Sequence, residues 1–196
     1  RQLSELVRAG NLKRSDLQRF EHAVVEGSQI ILRNLQRADR LVRSFRQVAV
    51  DQSSEDRRVV DLGVCIREIL TTLGPALKKT PHSVTFSCPQ PVVCETAPGA
   101  LYQIISNLVM NSLIHAFIPE KPGMIDIRVS RQDTGIAIDY SDDGVGMDEV
   151  TSARIFDPFY TTRRGSGGSG LGMHIVYNLV TQILGGTILV SSAPGE

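Results

Sequence analysis

Two asparagines four residues apart, Asn107 and Asn111, stand in an otherwise apolar stretch of helical character, where asparagine is disfavoured by propensity. At i and i+4 they share one helix face. A neutral carboxamide oxygen suits magnesium, which prefers oxygen ligands and keeps several waters and substrate phosphates around it. Downstream, Asp142-Asp-Gly-Val-Gly146 follows a strand-like segment. A carboxylate at a strand end can accept a hydrogen bond from the exocyclic amino group of adenine, and Gly144 and Gly146 permit positive φ and close backbone approach. Ser166-Gly-Gly-Ser-Gly-Leu-Gly172 then runs into a helical pattern, where unpaired N–H groups and the positive dipole end hold phosphate oxygens. Arg163 and Arg164 precede that loop and are placed to touch a terminal phosphate. Each segment alone is weak, but together and in this order they hold what a magnesium-bound nucleotide needs. The glycines follow no early strand, so they are not a dinucleotide fingerprint, and no GK[ST] marks a P-loop.

The elements that must carry these residues can be read from periodicity. Leu17, Val24, Ile31, Ala38 and Phe45 recur every seven residues, with Phe20, Leu35, Leu41, Val42, Val48 and Ala49 beside them and Arg33, Arg37, Arg40, Arg43 and Arg46 on the remaining face. This predicts a long bundle or coiled-coil helix, capped at Ser15-Asp16. A shorter helical segment at 3–8, stopped by Ala9-Gly10-Asn11, would precede it in an antiparallel hairpin. Two helices make a thin core, so a second copy is the expected partner for the seam. The polar run 52–58 reads as a linker. Beyond it the pattern predicts a helix over 62–77, strands at 84–86 and 92–94, and a helix over 98–117 with Pro98 in its first turn. A hairpin follows, formed by 125–129 and 135–140, then a helix over 171–184 ended by Gly185-Gly186, and a closing strand at 187–191.

Composition narrows the function classes. At 196 residues the chain holds one or two domains. No apolar run approaches the roughly 20 residues of a membrane span, and the first residues of this sequence show no signal-peptide pattern. Residues 1–58 carry 12 basic and 8 acidic groups, and residues 59–196 carry 9 and 13; so small a skew gives no nucleic-acid footprint. Cys65, Cys88 and Cys94 lie in apolar contexts without CxxC or metal-ligand spacing and read as buried free thiols of a reducing cytoplasm. A Cys88–Cys94 bridge across Pro89-Gln-Pro91 is the less favoured option. Arg1-Gln-Leu opens mid-pattern and Pro194-Gly-Glu196 closes on a turn signal, and the chain reads as a piece of a longer protein.

Four segments carry a family resemblance. Asn107-Leu-Val-Met-Asn-Ser-Leu-Ile-His-Ala-Phe117, Asp142-Asp-Gly-Val-Gly-Met147, Ile155-Phe-Asp-Pro-Phe-Tyr-Thr-Thr162 and the stretch from Gly168 to Met173 resemble the N box, first glycine box, F box and second glycine box of sensor histidine kinases. The resemblance covers residues 59–196, and residues 1–52 look like the dimerisation hairpin that precedes the ATP-binding domain in that family. It implies an α+β chain: residues 1–55 a partial dimerisation and histidine-phosphotransfer hairpin, residues 56–196 an ATP-binding α/β sandwich of the Bergerat type, its mixed sheet covered on one face by helices. It further implies ATP and magnesium as cofactors, with Asn111 the metal ligand and Asn107 positioning the metal or its water. Asp142 would read adenine, with Gly144 and Gly146 shaping the base pocket and His115 beside the nucleotide. Arg163 with Gly168, Gly170, Leu171 and Gly172 would face the phosphates, and Phe156 and Phe159 would pack the lid.

The implied activity is transfer of the γ-phosphoryl group of ATP to a His, then to an Asp of a response-regulator receiver domain. The implied partners are a second copy of the chain and that regulator; the place is the cytoplasm, with any membrane anchor outside this chain. Two departures qualify the pattern. His22 is the sole His of residues 1–55 and lacks the acceptor's surrounding box, so the acceptor is expected upstream. Ile114 stands where many relatives have a basic residue. Two other readings stay open: a nucleotide-binding dimerisation module without transfer, and an ATPase of the same fold. The second is disfavoured because Asn107 occupies the place of a general-base Glu and cannot take a proton from water.

Overall fold

The computed structural model describes residues 13–50, 56–118, 120–162 and 169–195; for Asp16, Arg33 and residues 36–50 it describes the backbone alone. The chain divides into two units between Arg46 and Gln47.

The first unit is built on α1 (Arg14–Val50), a helix of 37 residues. It begins at Arg14, so Ser15 lies inside the first turn and not at the cap. Leu17, Phe20, Val24, Ile31 and Leu35, the apolar seam of the sequence, are 48–62% exposed, and His22 is exposed. The expected helix at 3–8 and its turn lie outside the described residues.

In the second unit, strand β1 (Arg58–Asp61) feeds helix α2 (Leu62–Leu77). Asp61 makes that junction abrupt: it keeps an extended backbone and accepts the Val64 N–H at 3.1 Å, satisfying a donor that the helix start would leave free. Leu62, Ile66, Ile69 and Leu73, at helical spacing, are buried. Strands β2 (Ser83–Ser87) and β3 (Val93–Thr96) follow, then helix α3 (Pro98–Asn111) with Pro98 in its first turn. The last turn of α3 widens over 112–116, where the Phe117 N–H reaches the Ser112 carbonyl five residues back at 3.3 Å. Strands β4 (Met124–Gln132) and β5 (Gly135–Asp142) form the expected hairpin. Helices α4 (Glu149–Arg154) and α5 (Gly172–Asn178) complete the set, and α5 also continues into a wide turn over 179–183.

Strand β2 pairs in parallel with β4, and β4 antiparallel with β5, giving a mixed sheet of order β2-β4-β5; β1 and β3 form a separate antiparallel pair. Period two sorts the mixed sheet into faces. Ile125, Ile127 and Val129 are essentially fully buried and join Leu62, Ile66, Leu101, Ile105 and Val109 of α2 and α3 in one core. Tyr140 and Asp142 lie opposite Ile127 and Ile125, so both belong to this helix-covered face. The other face carries Asp126, Arg128, Asp139 and Ser141.

Three expectations need correction. Arg58, read as linker, opens a strand. The three cysteines are free but only partly buried. Residues 187–191, read as a closing strand, form no ladder with any described strand, and Leu189 is 89% exposed; the residues just beyond, Ser192 and Gly195, bond to the loop after β5.

Candidate functional site

Helix α3 presents Gln103, Asn107 and Asn111 at successive intervals of four on one face. The Asn107 Nδ2 donates to the Gln103 carbonyl oxygen at 2.8 Å. With the nitrogen committed to its own helix, the Oδ1 points away from it. A methyl group placed on Gly172, the first residue of α5, would sit 3.1 Å from Asn107 Oδ1 and 3.6 Å from Asn111 Oδ1. Both amide oxygens therefore converge on the start of α5, and glycine is what allows that approach. Asn111 Nδ2 is buried and finds no hydrogen-bond partner among the described residues, as does Gln103 Nε2. A buried amide left unpaired costs about 1–3 kcal/mol, so this face of α3 is built for something other than packing.

Asp142 ends β5 beside the wide turn of α3. Its Oδ1 accepts the Gly144 N–H at 3.1 Å, and its Oδ2 accepts the Ser112 hydroxyl at 2.7 Å. The Ser112 Oγ also lies 2.7 Å from the Tyr140 hydroxyl. Burial first, and then the neighbouring Asp142 carboxylate, push Tyr140 well above the usual phenol range. The loop after Asp142 is pressed onto the end of α3: the Val145 N–H donates to the Ala116 carbonyl at 2.8 Å, and a methyl group on Gly144 would meet the Ala116 Cβ at 2.5 Å. Gly146, at φ +69°, lies under the tail of the chain, where a methyl group would collide with the Ala193 carbonyl oxygen. That tail is tied to the loop twice more, by Met147 N–H to Ser192 Oγ at 2.9 Å and Gly195 N–H to the Val145 carbonyl at 2.9 Å.

The segment at 155–160 is fastened to α5. His174 Nδ1 lies 3.0 Å from the Phe156 carbonyl oxygen, its Nε2 lies 3.2 Å from Asn178 Nδ2, and the Phe156 ring tilts on Tyr177 at 5.4 Å between centroids. Because a carbonyl only accepts, Nδ1 carries the proton in this arrangement and Nε2 accepts from the amide. Phe159, at φ +64° and 58% exposed, passes directly beneath Gly170, where a methyl group would come within 2.5 Å of the Phe159 carbonyl carbon. Gly170 itself has φ +68°.

Of the residues expected from sequence, the structure thus brings Asn107, Asn111 and Gly172 together. Asp142 and Gly144 meet at the far end of α3, with Gly146 next to them in the same loop. His115 lies within the wide turn and is half-buried. Leu171 differs from its neighbours: its side chain is buried, its N–H donates to Ser169 Oγ, and its carbonyl accepts the Ile175 N–H. Arg163, Arg164 and Gly168 lie outside the described residues. Sequence reasoning missed Ser112, Tyr140 and His174. A signal existed for Tyr140, which stands two residues before Asp142 and so shares its strand face.

Residues 96–196 match the family described as "Histidine kinase-, DNA gyrase B-, and HSP90-like ATPase". The sensor histidine kinase ZraS of Klebsiella oxytoca is 32% identical over 176 residues, which is 87% of this chain and 37% of that protein. Sporulation kinase B of Bacillus subtilis is 25% identical over 78% of this chain and 34% of its own length. The chain thus spans about a third of these relatives. Among solved structures, the catalytic domain of the histidine kinase ThkA superposes with a TM-score of 0.57 at 23% identity, covering 65% of this chain and 82% of that one, a likeness of fold. Full-length ShkA, solved in complex with AMPPNP, gives 0.55 at 26% identity over 64% of this chain and 26% of its own. The chain therefore belongs to the histidine kinase-, DNA gyrase B- and HSP90-like ATPase family, and its second unit is an ATP-binding catalytic domain of the sensor histidine kinase kind.

Proposed function

We propose that this chain supplies the ATP-binding half of a protein-histidine kinase, passing the γ-phosphoryl group of magnesium-bound ATP to a His imidazole for relay to a response-regulator Asp. The observation that carries this reading is the convergence of the Asn107 and Asn111 amide oxygens on Gly172, with Asn111 Nδ2 buried and without a hydrogen-bond partner among the described residues. The donor chemistry fits the ion: Asn111 offers one neutral oxygen to a cation that takes its other ligands from water and phosphate. Magnesium bound there would neutralise charge on the transferring phosphoryl group.

The protein's own part is positioning. Asn107, its nitrogen held by Gln103, keeps a fixed acceptor one turn from Asn111 and orients a water or the metal. Asp142 accepts the adenine amino group, Gly144 and Gly146 lay the loop close to the base, and His115 borders the nucleotide from the wide turn. Gly170 and Gly172 let the backbone approach the phosphates, with Leu171 anchoring the turn between them in the core. To Arg163 and Gly168 the same reading assigns the phosphate contacts that the sequence suggests. Residues 1–55 serve as the dimerisation hairpin and residues 56–196 as the catalytic domain; the exposed apolar seam of α1 supports pairing with a second copy. No helix among the described residues is long and apolar enough to cross a membrane.

Calorimetric titration with ATP and ADP, with and without magnesium, tests the site. Binding that depends on magnesium in the unaltered chain and is lost in Asn111→Ala is the expected result. A folded chain that binds neither nucleotide overturns the proposal and leaves a dimerisation module. Formation of acid-labile phosphohistidine in a longer chain that contains the acceptor tests the transfer step.

A further inference from the structure

The carboxylate of Asp142 is not left to find its own orientation. Ser112, 3% exposed, sits at the start of the wide turn with its hydroxyl 2.7 Å from Asp142 Oδ2 and 2.7 Å from the Tyr140 hydroxyl. The Leu108 carbonyl oxygen also lies within reach of the Ser112 hydroxyl, at 3.3 Å, but the Asp142 carboxylate is nearer and charged and only accepts, so the one proton of Ser112 goes to Asp142 and Tyr140 donates its own to Ser112. The three groups form a chain of hydrogen bonds with one direction, Tyr140 to Ser112 to Asp142. Its far end is fixed as well, because Asp142 Oδ1 accepts the Gly144 N–H. Each oxygen of the carboxylate thus spends one acceptor direction on the protein and keeps another for a ligand. Burial holds Tyr140 in the protonated form that such a donor requires.

We propose that Ser112 and Tyr140 are positioning residues that fix Asp142 as a hydrogen-bond acceptor and so set the preference of the site for a purine bearing a 6-amino group. A ligand presenting a donor at that position meets a waiting acceptor; one presenting a carbonyl oxygen, or a bare ring C–H, does not. This rests on the reading of Asp142 as the base-reading residue in the proposed function.

The test uses the whole 196-residue chain and two nucleotides, ADP and purine riboside 5′-diphosphate, which differ only in the amino group. Their affinities in magnesium are measured by calorimetry for the unaltered chain, Ser112→Ala, Ser112→Thr and Tyr140→Phe. Ser112→Ala should weaken ADP about tenfold, the size of one lost charge-assisted hydrogen bond, while leaving the riboside analogue within about twofold. Ser112→Thr, which keeps the hydroxyl, should restore the ADP affinity. Tyr140→Phe should show a smaller loss, again confined to ADP. Equal losses with both nucleotides would mean a general packing role and overturn the proposal. Equal affinity of the unaltered chain for the two nucleotides would locate the failure earlier, in the assignment of Asp142 itself. Should Ser112→Ala lose its native circular dichroism, Tyr140→Phe carries the same comparison.

Discussion

Tyr140 ties a titration to the site. Its ionisation is raised in the folded chain, chiefly by burial, above the value of about 10 for an exposed phenol. A group raised in this way stabilises the fold fully below its unfolded value and loses that contribution as pH climbs toward the folded one. Stability should therefore fall as pH rises past about 10. In the ultraviolet, one of the four tyrosines should resist ionisation until the protein unfolds, and Tyr140→Phe should remove that late component. Glycine offers a second comparison. Gly185 and Gly146 both have φ +69°, but a methyl group on Gly185 meets nothing within 4 Å, whereas on Gly146 it strikes Ala193. Gly185→Ala should cost about 1 kcal/mol, the left-handed penalty alone. Gly146→Ala should cost clearly more and should weaken nucleotide binding too, as measured by urea unfolding and calorimetry. At this scale the sequence was informative where residue type conflicts with surroundings, as with two asparagines in an apolar helix. It was silent where a role depends on a partner far along the chain. Ser112 is an ordinary helical serine until Tyr140, 28 positions away, is folded against it.

Elements were legible to the extent that their ends carry local chemistry. The helix over 62–77 was readable because its apolar residues keep one phase; that Asp61 caps it is seen only in the fold. Asp61→Ala should lower stability by about 1 kcal/mol, seen as a shift in the urea midpoint with unchanged slope. The hairpin of β4 and β5 was readable from alternation. The two wide turns at the ends of α3 and α5 were not, since no residue type specifies a five-residue bond and the packing of the last turn decides it. Helix α4 was missed although Asp148 caps it, accepting the Thr151 N–H at 2.7 Å; at six residues it has too few turns for a periodicity to show. Residues 187–191 have strand composition, but a ladder needs a neighbouring edge in register, which composition does not encode.

At the scale of the molecule, the two units differ in how their apolar residues are covered. The second buries a continuous core between α2, α3 and the sheet. The first is a long helix whose seam residues between Leu17 and Leu35 stay half exposed, the pattern of a surface that a partner helix covers. Sedimentation velocity should find a dimer, and Ile31→Glu, at a position 61% exposed, should shift it to monomer while ADP affinity is unchanged. If affinity falls in step with dissociation, the units are not independent and the assignment of the seam to dimerisation alone is wrong.

The tail over the Asp142 loop has one more consequence. The Gly195 amide hydrogen is held by the Val145 carbonyl, so it exchanges with deuterium only when loop and tail part. It is a natural reporter, remote in sequence and adjacent in space, on a loop that the nucleotide is proposed to touch. Linkage makes the report reciprocal: a nucleotide that steadies the loop must slow exchange at Gly195, and any tension that peels residues 192–195 away must loosen the grip on the base.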